Sequence, residues 1–244
     1  MRLKDKVAIV TGAGSGFGAG IARRFAEEGA HVIVNDVNPQ GERVAKEING
    51  RFVSADVTKT ADWARLVREA GDKLSIVVKN AGWTHRNKPY LEVSEAEFDK
   101  VYAVNVKSVY LSAMHAVPVF RRGGGGCFVN IASTAGLRPR PGLSVYNSSK
   151  GAVILLSKSM AAEFGADKIR VNCVNPVFSP DTGLSAEFAG GAVTEEAKKR
   201  FMATIPLGRF STPLDVANAC LYLASDEAAF ISGACIEVDG ARCV

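Results

Sequence analysis

The stretch "VTGAGSGFGAGIARRF", residues 10–25, decides how the rest of the chain is read. Gly12, Gly14, Gly16 and Gly18 alternate along it, after the β-branched run "KVAIVT" (6–11) and ahead of the helix-like "FGAGIARRFAEEG" (17–29). Missing side chains at such a turn allow a sharp reversal and let backbone N–H groups approach a pyrophosphate at the helix N-terminus. A glycine-rich turn alone is a weak signal. Here a strand precedes it, a helix follows it, and Asp36 stands eighteen residues past Gly18 at the end of the next strand, "HVIVND" (31–36). That context predicts a dinucleotide site. A carboxylate at position 36 can accept hydrogen bonds from the adenosine ribose hydroxyls and repels a 2′-phosphate. No Arg or Lys occupies positions 13–15 or Val37 to hold such a phosphate. The expected cofactor is therefore NAD(H) rather than NADP(H).

The same rhythm continues outward. Further Val- and Ile-rich runs are "RFVSAD" (51–56), "LSIVVKNAG" (74–82), "GCFVNIAS" (126–133), "IRVNCVNP" (169–176) and "CIEVDG" (235–240). Amphipathic stretches at 39–48, 60–71, 94–101, 103–121, about 145–164 and 213–224 alternate with them. Short apolar runs between helices are what a parallel sheet buried on both faces demands. The expected fold is α/β: a Rossmann-type doubly wound parallel sheet of about seven strands with helices on both faces. No linker, low-complexity tract or fixed-period repeat breaks the chain, so residues 1–244 are expected to form one domain. The irregular segment 183–210, interrupted by Gly190-Gly191, is either a substrate-covering lid or an ordinary helical hairpin over the sheet edge.

Bulk properties narrow the function. The chain has 244 residues, 47% hydrophobic and 23% charged, which suits a globular enzyme with a sizeable core. Its net charge is +5, but the basic clusters Arg121-Arg122 and Lys198-Lys199-Arg200 lie far apart and interleave with acids. They read as solvated surface, not as a nucleic-acid footprint. The opening residues hold an apolar run of only four, and no segment approaches the ~20 apolar residues of a spanning helix. Neither a signal peptide nor a membrane partner is expected. Five cysteines form no C-x-x-C, so a cytoplasmic setting is expected. His31, His85 and His115 are not grouped, and no metal site is expected.

The stretch "SVYNSSKGAVILLS" (144–157) places Tyr146 and Lys150 four residues apart. On a helix these side chains share a face, which suits an acid/base pair but also any two polar neighbours. Other motifs settle the ambiguity. "TGAGSGFG" (11–18), "KNAG" (79–82), "VNVKSVY" (104–110), "NIAST" (130–134) and "YNSSK" (146–150) follow one another in order. Together they resemble the short-chain dehydrogenase/reductase family from residue 6 to 240. The chain departs from that family's pattern at Lys79, which replaces the first Asn of N-N-A-G. It departs again at Val177, where Gly is usual, at Thr182, one residue later than is common, and at "DGAR" (239–242).

The resemblance implies a catalytic set of Asn105, Ser133, Tyr146 and Lys150. Tyr146 would be the general acid/base and Ser133 a donor to the substrate oxygen. Asn105 would hold a water linking Lys150 to solvent. A free phenol has a pKa of about 10. One cation about 4–5 Å away, at an effective dielectric near 20, supplies roughly the 3–4 kcal/mol needed to bring it two to three units down. Lys150 is expected to be that cation, with positively charged NAD⁺ adding to it. Cofactor contacts implied are Gly12, Ser15, Gly16, Phe17, Gly18, Asp36, Asp56, Val57, Asn80, Ala81, Gly82, Tyr146, Lys150, Pro176, Val177 and Thr182. Ligands bind outside the carboxyl ends of such strands. His85, Arg86, Arg138, Phe178 and Leu184 are therefore candidates to meet the substrate, with the basic ones hinting at a polar or anionic substituent. Family members pair the helices around 103–121 and 145–164 in tetramers, which implies a homotetramer.

The expected activity is NAD(H)-dependent interconversion of a secondary alcohol and a ketone. The same fold also serves 3-oxoacyl-thioester (acyl-carrier-protein) reduction. A non-catalytic dinucleotide-binding regulator is the alternative of another class, though a pure sensor needs no general base.

Overall fold

The computed structural model describes residues 1–180 and 182–244. Its seven strands are β1 (Val7–Thr11), β2 (His31–Asp36), β3 (Arg51–Ser54), β4 (Leu74–Lys79), β5 (Gly126–Ile131), β6 (Ile169–Pro176) and β7 (Cys235–Val238). They form one sheet in the order β3-β2-β1-β4-β5-β6-β7, and each neighbouring pair runs parallel. From β1 the chain winds outward through β2 to β3, then returns to β4 on β1's other side. Strand order reverses at that point, and a crevice opens between the carboxyl ends of β1 and β4.

The α-helices are α1 (Gly16–Glu27), α2 (Gln40–Glu47), α3 (Thr60–Ala70), α4 (Glu95–Tyr102), α5 (Ser108–Arg122), α6 (Ser144–Phe164), α7 (Ser185–Ala189), α8 (Glu195–Met202) and α9 (Pro213–Ala224). Two cores result, one on each face. Phe25 and Ile21 of α1 and Leu221 of α9 pack against Val10, Ile76 and Val129 on one side. Trp63 and Leu66 of α3, Phe120 of α5 and Val153 of α6 pack against Ile9, Val77 and Phe128 on the other. Alternate side chains of a strand point to opposite faces, so strands buried twice need apolar residues at nearly every position. β1 has all five residues buried.

Four strands end earlier than their sequence pattern suggests. β3 stops at Ser54, β4 at Lys79, β5 at Ile131 and β7 at Val238. The residues beyond them leave the ladder for other partners. Asp56 accepts from Thr58 N and Oγ1, and Asn80 N–H donates to Thr11 Oγ1 at 3.1 Å. Asp239 accepts from the backbone N–H groups of Ala241 and Cys243. Of these polar strand ends, Asp56 and Asn80 line the crevice.

The helical stretch expected at 103–121 is not continuous. A π-helical turn spans Ala103–Lys107 between α4 and α5 and carries Asn105. Such single π turns are rare and recur at functional sites. The 183–210 segment folds as two short helices, α7 and α8, broken where Gly190 takes φ +77°. Among the described residues no helix is long and apolar enough to cross a membrane, and no cluster of His, Cys, Asp or Glu suits a metal ion.

Candidate active site

The crevice is a cleft of about 680 Å³, within the range of cofactor and ligand sites. One end is made by backbone. Gly12 turns at φ +62°, and a Cβ there would lie 2.8 Å from Ala81 Cα. A Cβ on Gly18 would stand 2.1 Å from the Gly12 carbonyl oxygen, so the first turn of α1 can press against β1 only without one. Gly14 N–H donates to Asp36 Oδ2 at 2.9 Å, tying the turn to the end of β2. Asn80 closes the other side, its Nδ2 donating to the carbonyls of Thr11 at 2.9 Å and Gly12 at 3.0 Å. The residues fit a dinucleotide: the cradle is one that a single methyl group would fill, and a carboxylate stands where a ribose would be read.

Gly12, Ser15, Gly16, Phe17, Asp36, Asp56, Val57, Asn80, Ala81, Gly82, Pro176, Val177 and Thr182 all line this cleft, together with Ser133, Tyr146 and Lys150. Gly18 and Asn105 stand just behind its wall. Asn105 Oδ1 accepts from Trp83 N–H at 2.8 Å, and its Nδ2 donates to Trp83 O and Ser149 Oγ, both at 2.9 Å. Its amide is thereby committed to holding the 82–83 backbone. A Cβ built on Gly82 would sit 3.5 Å from Lys150 Nζ and 3.6 Å from Asn105 Oδ1, so these groups share one neighbourhood. Thr182 Oγ1 donates to Ser179 O, and the 182–183 backbone passes close above Gly16 and Ser15. The segment before α7 thus reaches over the glycine-rich turn.

At the other end side chains form the walls. Ser133 caps a 3₁₀ turn at Thr134–Gly136, its Oγ accepting from Ala135 N–H at 3.1 Å. Tyr146 is buried near the start of α6 with Leu143 and Ala135, and the ring of Phe188 from α7 meets it edge-on at 4.9 Å. Phe178 stacks on Phe201 of α8 at 4.3 Å and meets Phe188 and Phe210 at steeper angles. The rings of Trp83, Phe178 and Phe188 and the Leu184 side chain line this part of the cleft as an apolar slot.

The electrostatics of the site set burial against charge. Burial pushes the Tyr146 phenol up to about 12, with the Ser133 hydroxyl and the Arg140 charge pulling it back. Lys150 Nζ lies 5.6 Å from the centroid of the Tyr146 ring and donates to the Ile131 carbonyl at 2.9 Å. Burial draws Lys150 down to about 8. In the chain by itself desolvation is the larger influence on the phenol, and the Arg140 charge offsets part of it. Lys79 is also buried, its Nζ without a hydrogen-bond partner and 4.7 Å from the centroid of Trp63. Burial, with help from the Lys150 charge, brings it down to about 7.

Of the residues expected to meet a substrate, Phe178 and Leu184 line the cleft. His85, Arg86 and Arg138 do not. His85 is buried with Nδ1 against the Arg86 carbonyl, Arg86 Nε donates to Gly190 O, and Arg138 donates to Arg242 O. Arg140, Trp83 and Phe188 take their place. Sequence alone offered "LRPRPG" (137–142) as a signal, but a Pro-flanked loop has no periodicity to say which Arg turns inward.

Known proteins resemble the chain over nearly its whole length. The family described as enoyl-(acyl carrier protein) reductase matches residues 12–241. The 4-formylbenzenesulfonate dehydrogenase of Comamonas testosteroni is 51% identical over 251 residues, covering 99% of each chain. The 2,5-dichloro-2,5-cyclohexadiene-1,4-diol dehydrogenase of Sphingobium indicum is 36% identical, over 98% of this chain and 96% of that one. Among solved structures, the 3-ketoacyl-(acyl-carrier-protein) reductase of Brucella melitensis complexed with NADH superposes with a TM-score of 0.93 at 40% identity, covering 99% of this chain and 100% of that one.

Proposed function

The chain belongs to the short-chain dehydrogenase/reductase family, and from that premise we propose that it is an NAD(H)-dependent oxidoreductase interconverting a secondary alcohol and a ketone. The carrying observation is that Ser133, Tyr146 and Lys150 line the same cleft as the glycine-rich turn and Asp36. When bound, the dinucleotide supplies the hydride acceptor and donor.

In the oxidative direction the substrate hydroxyl gives its proton to Tyr146 Oη as hydride leaves the adjacent carbon. In reduction Tyr146 returns that proton to the new alkoxide. Ser133 donates to the same oxygen and favours its anionic character. A phenol near 12 stays protonated at neutral pH and is slow to become the phenolate that takes the substrate's proton, so oxidation needs positive charge close to Oη. Arg140 supplies part of it and the Lys150 ammonium another part. Lys150, beside Gly82, passes the proton onward from Tyr146, and Asn105 holds the 82–83 backbone in place next to it. Asp36 reads the ribose hydroxyls and excludes a 2′-phosphate. Segment 183–210 covers the substrate, and residues 1–244 act as one domain.

Relatives named for a benzene-ring aldehyde and a cyclohexadiene diol support a compact ring as substrate, as does the aromatic lining of Trp83, Phe178 and Phe188. Reduction of a 3-oxoacyl thioester is the second reading, favoured by the name of the Brucella melitensis structure. Exposed Tyr110, Met114 and Leu155 on α5 and α6 support a homotetramer built on those helices, and we place the enzyme in the cytoplasm. The test is a panel of cyclic and benzylic secondary alcohols, ketones and acyl thioesters with both cofactors, using Tyr146→Phe as blank. Thioester reduction outpacing every ring substrate would replace the first reading by the second.

A further inference from the structure

Resting on that reading, we propose that Arg140 sets substrate choice, its guanidinium docking an oxyanion substituent that the substrate carries away from the reacting carbon. Arg140 lines the cleft with Ser133 and Tyr146. Its guanidinium carbon lies 4.7 Å from the centroid of the Phe201 ring, a cation–π contact that holds the charge at the cleft wall. Surface arginines such as Arg2, Arg23 and Arg209 hold carboxylates, yet among the described residues no acid lies within 4.0 Å of Arg140.

The surroundings add positive charge instead of cancelling it. Arg242 is 6% exposed, with Nε and Nη1 lacking any partner. Arg138 is tied to the Arg242 carbonyl. Asp239, three residues before Arg242, accepts from backbone N–H groups with both oxygens and pairs with neither Arg242 nor Arg140 among the described residues. Burial and the neighbouring Arg242 charge lower Arg140 to about 10, which still leaves it cationic at neutral pH. Such a convergence is costly unless an anion joins it. A carboxylate or sulfonate presents the two oxygens that a guanidinium edge matches. The aromatic slot of Trp83, Phe178 and Phe188 takes the apolar body between that anion and the carbon facing Tyr146.

The test compares 4-(1-hydroxyethyl)benzoate with 1-phenylethanol as substrates for the wild type, Arg140→Met and Arg140→Lys. Charge-assisted hydrogen bonds of this kind are worth about 1.5–3 kcal/mol, so the anionic-to-neutral ratio of kcat/KM is expected to fall 10- to 100-fold in R140M and to recover in part in R140K. Calorimetry on NADH-loaded protein, with benzoate and benzamide as dead-end ligands, gives a reading independent of turnover. Benzoate binding is expected to vanish in R140M, and benzoate is expected to raise the wild-type Tm. Equal loss on both substrates with an alkaline shift of the pH profile would overturn the proposal, leaving Arg140 as a tuner of Tyr146. Benzoate binding no better than benzamide in the wild type would overturn it as well. Wild-type protein that binds benzoate through Arg140 but oxidises no alcohol would refute the enzymatic reading and leave the anion site standing.

Discussion

The two ends of the cleft are built from different materials. At the carboxyl ends of β1 and β2 the walls are backbone and short polar side chains: Gly12, Gly14 and Gly18, the Asp36 carboxylate, and the Asn80 amide clasping Thr11 and Gly12. At the far end they are aromatic rings and an arginine, drawn from the loop at Trp83, the approach to α6, and α7 and α8. A site made of backbone tolerates no added atom but reads a shape shared by every dinucleotide. One made of side chains can be retuned residue by residue without disturbing the sheet. Ser133, Tyr146 and Lys150, the set proposed to carry the reaction, line the same cleft at the seam where the two ends meet.

If that seam carries the reaction, the largest effect belongs to it. Tyr146→Phe keeps the ring packed on Phe188 but removes the proton carrier, and kcat is expected to fall about 1,000-fold, with NADH affinity, read by fluorescence titration, changing less than threefold. Turnover within tenfold of wild type would move the chemistry elsewhere. The rigid end is next. Gly18→Ala puts a methyl 2.1 Å from the Gly12 carbonyl, so the turn must open, and NADH is expected to bind about 100-fold more weakly. An unaltered Kd would mean the backbone cradle is softer than its geometry implies.

Lys79 is the discordant residue of the rigid end. Replacing it by Met removes an unpartnered amine from an apolar site beside Trp63 and is expected to stabilise the fold by about 3 kcal/mol at pH 7. Its folded pKa, about 7, lies below the ordinary lysine value of 10.5. Between those values the unfolded chain binds more protons than the native one, so this group makes stability rise with pH. Lys150, lowered to about 8, acts in the same direction over a narrower window. The gain from Lys79→Met is therefore expected to be full at and below pH 7 and to fade toward pH 10.5, measurable as converging Tm values. A gain independent of pH would assign the effect to packing instead of charge.

The same contrast explains what was legible in the sequence. The glycine-rich turn, Asp36 and the parallel strands could be read because backbone geometry and double burial restrict residue type directly. Strand ends were overextended at Asp56, Asn80 and Asp239 because those side chains choose tertiary partners over the ladder. The π turn at Asn105 leaves no hydrophobic period to detect. Choosing Arg138 over Arg140 needed the position of Phe201, about sixty residues away. The burial of Tyr146 against Phe188 and Leu143, which raises its phenol in the chain by itself, is likewise something a four-residue spacing to Lys150 cannot register.

Asp36 tests whether the backbone-built end is as indifferent to side chains as its glycines suggest. Its two oxygens already serve Gly14 and Asn38, at 2.9 Å each, so the carboxylate shapes the turn as well as facing the ribose. Each oxygen keeps a lone pair, which leaves room to accept from ribose hydroxyls. Asp36→Ala removes both the acceptor and the repulsion toward a 2′-phosphate, while the exposed Val37 offers no cation to attract one. NADH affinity is then expected to drop and NADPH affinity to hold, narrowing the preference about tenfold without inverting it. Adding Val37→Arg should complete the inversion. If the single substitution leaves the ratio of Kd values where it was, discrimination lies in the shape of the turn, and the rigid end needs no side chain to choose its cofactor.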